Sequence, residues 1–505
     1  MVSRVPTTQA SSIRAWCAHV GIRILLLGVT GALVPIGGLA CGIEDEVTVD
    51  RRPLNPRVLV FGGVGSADDV RGMHKSGSGS VALIGTYEAV ANFGSTVLEA
   101  EDASDPFIVM VGPTGTVSWA QAIRTGNIDE ANVFSDVEVG GNDLHVGSGG
   151  EIIVGVEFRD QLEFVGETLS DAEGPGIAVV KLNGLGDVIW SRIGRGLFPR
   201  VNALAVSPWN REVSVVGRFF EGATFGTISV DSDFPESEQG LWVRYDQDGS
   251  VRSADVLTSA AVASVSRSTL LDIWISGEGH AYSAGEFTGG LALVDEDSVM
   301  SSTRQDVVVV ASERFGRTRW AKQIGGESDQ EAVAIDGVEF DELDGRSSVS
   351  LYVAARNSSG ADVVVDDRVG SGETLVLKLS AEDGKALWIR SSDGTIVDIG
   401  GTRGGEVIAV GYFRGSVNFD GLLLTSPSSF DTGFIVKYSS AGRPLWARMI
   451  PGRGPVRCRE VEVTPLGEVV VAGTFDTAAT FGLVEKVGFG GQDVFLLRLG
   501  PDGSW

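Results

Sequence analysis

Three cysteines and four histidines in 505 residues leave little material for a disulfide framework or a soft-metal centre. Cys17 lies in an N-terminal leader, so Cys41 and Cys458 are the only thiols beyond it. His-Glu-x-x-His, Cys-x-x-Cys and Gly-x-Ser-x-Gly are absent, as are the glycine-rich patterns that cradle phosphates. Positive charge is also scarce. Lys and Arg total 40 against 67 Asp and Glu, for a net charge of −27. Removing a leader that carries Arg4, Arg14 and Arg23 and no acid leaves −30 on the remainder. Such a surface repels nucleic acid, whose binding needs phosphates neutralised by Lys and Arg. Long apolar runs of helical period are missing too, which argues against a helical bundle.

What the chain has in excess is glycine, 69 of 505, spread through a recurring phrase. The phrase is Gly-x-Phe closing an apolar strand, then a second strand, then Asp-Gly or a similar turn, then Trp. Its clearest copies run Gly405 to Trp446 and Gly467 to Trp505. Earlier copies centre on Gly85, Gly155, Gly217 and Gly285, and an altered one spans Val349 to Trp388. The anchoring tryptophans are Trp119, Trp190, Trp320, Trp388, Trp446 and Trp505, with Ser253 at the third unit's place. Seven units spaced 58 to 71 residues apart indicate an array or a propeller.

Each unit parses into four strands. In the sixth these are Ile396 to Ile399, Val407 to Phe413, Phe434 to Tyr438 and Leu445 to Ile450. Turn residues such as Asp248-Gly249 and Asp383-Gly384 supply the positive φ of tight hairpins. The Gly of Gly-x-Phe is expected to let the chain bend. Its Phe, with a second one at Phe93, Phe164, Phe225, Phe419 or Phe481, is expected to pack between sheets. Units three and five, lacking the Trp and the Gly-x-Phe respectively, are expected to be distorted. The chain stops at Trp505, where the last fourth strand should begin, while Val58 to Phe61 reads as that missing strand with its closing Gly62-Gly63. Borrowing it would remove two exposed sheet edges.

These motifs closely resemble the bacterial seven-bladed β-propeller repeat family, over roughly residues 57 to 505. The resemblance rests on Ala178-Val179-Val180-Lys181-Leu182, Phe434-Ile435-Val436-Lys437-Tyr438 and Ile324-Gly325-Gly326. It implies an all-β fold: a seven-bladed β-propeller of four-stranded antiparallel blades, closed by an N-terminal strand in the last blade. It implies no activity, because fold does not fix function.

Ahead of the repeats, residues 1 to 23 are polar and positive, and Ile24 to Ala40 form an apolar run too short for a comfortable span. The sequence Gly38-Leu39-Ala40-Cys41 resembles a bacterial lipoprotein signal, although Gly38 stands where Leu is usual. Residues 1–40 therefore read as a lipoprotein-type signal peptide, Cys41 as the lipidation site and 41–56 as a flexible tether. An acyl chain contributes about 0.8 kcal/mol per buried methylene, so a multiply acylated terminus stays on its membrane. Secretion with cleavage nearby and a retained anchor are the alternatives.

Chemistry is hard to find. Asp246-x-Asp248-Gly249 has the start of a calcium loop, but Leu257 stands where its twelfth-position Glu belongs, so the segment reads as a hairpin turn. Adjacent Asp366-Asp367 would point to opposite faces of a strand. His74, His145 and His280 read as surface or turn residues. The expectation is a non-catalytic binding or scaffold module with no catalytic, cofactor or metal residues. It would be a monomer, an outer-membrane lipoprotein or cell-surface protein. Its partners would be a protein or polysaccharide of the cell envelope, met by loops 159–175, 220–239 and 288–304. Two rivals stand beside it. Leu379 to Trp388 looks like one blade motif of pyrroloquinoline quinone propellers, which would make the chain an enzyme; a hydrolase is the other catalytic possibility. An outer-membrane assembly propeller lipoprotein is the binding-class rival.

Overall fold

A computed structural model describes residues 57–505, apart from 102–103, 125–134, 141–149, 160, 165, 171–173, 233–236, 258–266, 293–298, 315 and 342–346. Cys41 and the leader lie outside the described residues, as do His19 and His145. The described chain is all-β, with antiparallel sheets and no helix.

Alternating apolar residues and turn glycines place four strands in each repeat. The sixth has Thr395–Gly401, Val407–Phe413, Thr432–Tyr438 and Pro444–Ile450, paired in that order. The seventh has Val456–Val463, Val469–Phe481 and Val484–Leu499. Its fourth strand is Arg57–Phe61, antiparallel to the third, with Arg57 opposite Arg498 and Phe61 opposite Val494. One long strand, Val188–Val206, ends the second repeat and begins the third.

The apolar core lies between successive repeats rather than inside any one sheet. One cluster joins Phe475, Phe481 and Phe495 of the seventh repeat to Ile408 and Ile435 of the sixth. Another joins Val470 and Leu496 of the seventh to Val70, Leu83 and Phe107 of the first. The expected packing of the paired aromatics holds: Phe93, Phe164, Phe225, Phe419 and Phe481 are all buried. Between second and third strands, most repeats add a short hairpin that reaches the outer strand of the repeat before. Phe164 pairs with Ile123, Val363 with Gly326, Ala479 with Gly452 and Asn92 with Gly62. That covers edges that would otherwise be open to other chains.

The Gly of Gly-x-Phe does not serve a bend. Gly411 stays outside the left-handed region, and a Cβ there would lie 1.9 Å from the carbonyl oxygen of Thr395. The cause is a bulge in the neighbouring first strand, whose register shifts between Ile396 and Asp398. The same contact recurs from Gly85 to Asp69, Gly217 to Arg200, Gly285 to Thr269 and Gly473 to Arg457. In the second repeat Val156 occupies this place, and its first strand, Ser135–Gly140, pairs without a shift.

Distortion is confined to the first strand of the third repeat, whose pairing carries two extra register shifts between Gly196 and Arg200. The remaining strands of repeats three and five pair as the others do. In the fifth, Asn357 replaces the expected Phe and is buried in a polar network. Its side-chain amide donates to the carbonyls of Ala361 and Gly372, and its Oδ1 accepts from Ser328. In the third, Arg244 lies opposite Ser253, bonds its Oγ at 2.8 Å and fills the space above Gly316 where a Trp would otherwise pack.

Elsewhere the tryptophans clasp the next repeat. Trp119, Trp190, Trp320 and Trp388 donate Nε1–H to the carbonyls of Gly184, Gln247, Ala381 and Ser440, all in hairpin turns one repeat on. Gly442 lies so close beneath Trp388 that a Cβ there would be 2.8 Å from the indole, and its φ of 78° suits glycine. Trp388 is buried. Trp446 is only half-buried, and its Nε1 has no hydrogen-bond partner. Trp505 does not anchor a fourth strand: Arg57 holds that position, and Trp505 packs on Gly482.

Candidate functional site

A cavity of about 850 Å³ is framed by first strands from several repeats. These include Asp69–Lys75, the second half of Val188–Val206, Arg267–Ile275, Gln330–Asp341, Thr395–Gly401 and Val456–Val463. Each carries a bulge where its register to the second strand shifts, which places polar side chains beside the apolar residues that face neighbouring sheets.

A belt of polar side chains runs round this wall. Asn202 donates to the carbonyl of Leu270 at 2.6 Å. The carboxylate of Asp272 accepts the amides of Ile273 and Ile335. Asp336 accepts those of Gly337 and Gly401, and Asp398 those of Ile399 and Val461, all at 2.6–2.7 Å. In each acid one oxygen holds its own strand and the other holds the next repeat. Glu462 continues the series by pairing with Lys75 and, at 3.0 Å, with His74 Nδ1. His74 therefore lines the cavity from a first strand rather than sitting in a surface turn. His280 does sit beside a turn, its amide bonded to Ser276.

Burial dominates the electrostatics. It pushes the Asp336 carboxyl up to about 6 against the pull of the Gly401 amide and Lys75. Asp398 is raised by burial and by the like charges of Asp272 and Asp336. Burial also works against the Glu462 charge, but Lys75 and His74 outweigh it and hold the group down at about 2. Beyond the belt, burial raises Glu157 to about 8 although Arg200 lies 3.6 Å away, and raises Glu286 to about 7 beside Arg267.

The other sequence candidates are not brought together. Asp246 closes a hairpin by accepting the amides of Asp248 and Ser250, and it pairs with Arg252. Asp366 sits in a turn, accepting from Lys322 and the Ala386 amide. The Leu379 to Trp388 segment forms the clasp on Ser440 described above. Cys458 is buried and free, and burial pushes its thiol up. Among the described residues no three His, Cys, Asp or Glu side chains gather as a metal-binding group. The belt acids were not singled out in the sequence, although Asp272 and Asp398 share one position in their repeats and Asp336 and Glu462 share another. The arginines two places after the tryptophans were missed as well. Arg192, Arg390 and Arg448 each donate Nε–H to the turn glycine of the next repeat. The Trp-x-Arg spacing was the available signal.

No protein-family model matches the chain, and no curated protein matches it. Among solved structures, a crystal structure of rhamnogalacturonan lyase YesW is similar at 14% identity and a TM-score of 0.32. The match covers 76% of this chain and 57% of that one, so the chain spans little more than half of its length. A likeness of this size carries no inference about activity.

Proposed function

We propose that the chain is an envelope-anchored, seven-bladed β-propeller that acts as a non-catalytic binding or scaffold module. The propeller reading rests on the order of its contacts. First strands of successive repeats touch in sequence, and the seventh, Val456–Val463, touches the first, Asp69–Lys75. Apolar clusters likewise lie between consecutive repeats, including one between the seventh and the first.

One observation carries the non-catalytic reading: the inward acids Asp272, Asp336 and Asp398 are spent on tying each first strand to the next. Each of their oxygens already accepts a backbone amide, which suits a rigid hub. Contact with a protein or polysaccharide then falls to the loops on the two faces. Lipidation of Cys41 would hold the disc at a bacterial membrane, with the outer membrane or cell surface as its place.

The test has two arms. Mass spectrometry of the mature N-terminus should find an acylated Cys41, and Cys41→Ala should move the chain from the detergent to the aqueous phase. An unmodified terminus downstream of Cys41 would refute the anchor. Mature chain immobilised against envelope extract should retain a defined protein or polysaccharide, and replacing segment 220–239 or 288–304, which the fold shows as hairpin arms rather than loops, should release it. Turnover of a quinone-dependent or glycosidic substrate, lost on changing Asp336 with the fold intact, would refute the non-catalytic reading.

A further inference from the structure

The start and end of the described chain meet at a pair of buried carboxylates. Asp493, in the seventh repeat's third strand, is fully buried, and Asp68, just after the N-terminal strand, is 2% exposed. A Cβ on Gly62 would lie 1.9 Å from Asp493 Oδ1 and 2.8 Å from Asp68 Oδ2. Both oxygens therefore converge on one point beside the Gly62 backbone. Asp493 Oδ2 accepts the Phe489 amide at 2.8 Å, while its Oδ1 has no hydrogen-bond partner. Asp68 Oδ2 accepts the Gly63 amide at 3.2 Å.

Equivalent positions elsewhere explain why this is unusual. Asp105 of the first repeat also opens toward the end of a fourth strand, and Arg124 pairs with it there. In the sixth repeat the equivalent residue is uncharged Thr432, and Asp431 just before it is held by Arg414 and Arg457. Asp306 of the fourth repeat faces Gly325, as Asp493 faces Gly62, and its Oδ1 is likewise unpartnered, but the Gln323 amide bonds its Oδ2 at 2.6 Å and no second carboxylate faces that glycine. In the seventh repeat the register puts Gly62 where Arg124 would be and apolar Val60 where Gln323 would be. No guanidinium or ammonium pairs with Asp493 among the described residues. A buried carboxylate oxygen without a partner is costly, and facing a second carboxylate makes it more so.

We propose that Asp68 and Asp493 bind a hard cation of the calcium type at the junction of the N-terminal strand with the seventh repeat. The donors are all oxygen, which suits calcium rather than a soft metal, with water completing the shell. The glycine is required because any side chain at position 62 would occupy the ion's place. The ion would bond Asp68, on the segment that follows the N-terminal strand, to Asp493, on the C-terminal strand, so that binding stabilises the closed arrangement. Burial and the nearby Asp476 already push Asp493 up to about 6, the response of a carboxyl whose charge is uncompensated.

The experiment uses the mature chain treated with EDTA, at mildly alkaline pH. Added calcium should raise the melting temperature by several degrees and titrate calorimetrically at one ion per chain, with magnesium weaker. Asp493→Asn should abolish both effects and, without metal, melt above metal-free wild type. Asp68→Asn should also abolish the calcium response, and it serves if the first variant does not fold. Asp248→Ala should keep the response, which separates this site from the hairpin turn at Asp246. A wild type indifferent to calcium overturns the proposal, as does a calcium shift that survives both Asn variants. If instead the metal-free wild type gains stability as pH falls toward 5, the Asn variant does not, and calcium does nothing, the pair shares a proton and the proposal fails.

Discussion

The seam between the fifth and sixth repeats and the seams after the third and seventh do the same work with different groups. At the first, Trp388 lies on Gly442, donates to Ser440, and is flanked by Arg390, which reaches the same turn. Opposite Trp388 stands Lys378. After the third repeat the Trp is Ser253, and the residue opposite is Arg244, which crosses to the next turn at Gly316. After the seventh the Trp is Arg57, and the residue opposite is Arg498, which donates to the carbonyl of Gly79 in the next repeat. Where the indole is lost, an arginine stands in the facing strand. A guanidinium has the length, the planar face and several donors to replace both the packing and the hydrogen bond.

The largest effect should come from breaking the seventh seam outright. Deleting residues 51–63 removes the fourth strand of that repeat and leaves two edges unpaired, whereas deleting 42–50 removes none of the described structure. The first deletion should lose its cooperative melt and aggregate; the second should melt as wild type. Equal melting curves would refute the closure.

Next comes the intact seam. Trp388→Ala should cost about 3–5 kcal/mol in urea unfolding, as for other buried aromatics. Trp446→Ala should cost less, since that ring is half-buried and its N–H unpartnered. Arg244→Ala should cost more than Lys378→Ala, because Arg244 fills a seam and Lys378 sits beside one already filled. If the two cost the same, arginine is not the substitute. Adding Ser253→Trp to Arg244→Ala should recover part of the loss.

A smaller effect separates the bulge from the turn. Gly411→Ala drives a methyl into the Thr395 carbonyl and should cost about 1–3 kcal/mol, in the range for overpacking. Ala355 holds the equivalent place in the fifth repeat, where the bulge between Ala332 and Ala334 persists, so Ala355→Gly should change little. Similar losses at both sites would show that the glycine serves something other than close approach.

The smallest effect is on pH dependence. Glu462 is held near 2 in the folded chain against an ordinary 4.5, so its contribution is present above 4.5 and lost as pH falls from there toward 2. Asp336 runs the other way. Raised to about 6, it favours the fold in its protonated form, and that contribution fades as pH rises from about 4 to 6. Glu462→Gln should flatten the acid limb of the stability curve in chemical denaturation, and Asp336→Asn should remove the loss of stability between about pH 4 and 6. An unchanged acid limb in Glu462→Gln would mean that the Lys75 and His74 contacts carry no net stability.

Four strands per repeat, their turns and the buried aromatics were legible because they depend on local signals: period-two alternation, glycine at positive φ and recurrent spacing. For the sixth repeat the second strand, Val407–Phe413, matches residue for residue, and the third and fourth lie within two residues. The Val58 to Phe61 strand was legible too, since its apolar run followed by Gly62-Gly63 repeats the Ile324-Gly325-Gly326 pattern that closes a repeat. The bulges were not. They arise from how a first strand twists against its neighbour, and Gly411 looks the same in a sequence whether it serves a bend or a close approach.

The candidate site was less legible than the fold. Asp272, Asp336 and Asp398 read as three acids among 67, and only their backbone partners in the following repeat reveal a belt. Arg244 looked like any charged strand residue until Ser253 appeared opposite it. Asp68 and Asp493 lie more than four hundred residues apart in the chain, and no spacing rule connects them. The sequence by itself determined the repeat, the strand order and the acidic surface, because propensity, turn chemistry and net charge act over a few residues or sum over all of them. Only tertiary structure decided which carboxylates are buried, which oxygen lacks a donor and which arginine fills a seam, because those depend on groups that folding alone brings within hydrogen-bond reach.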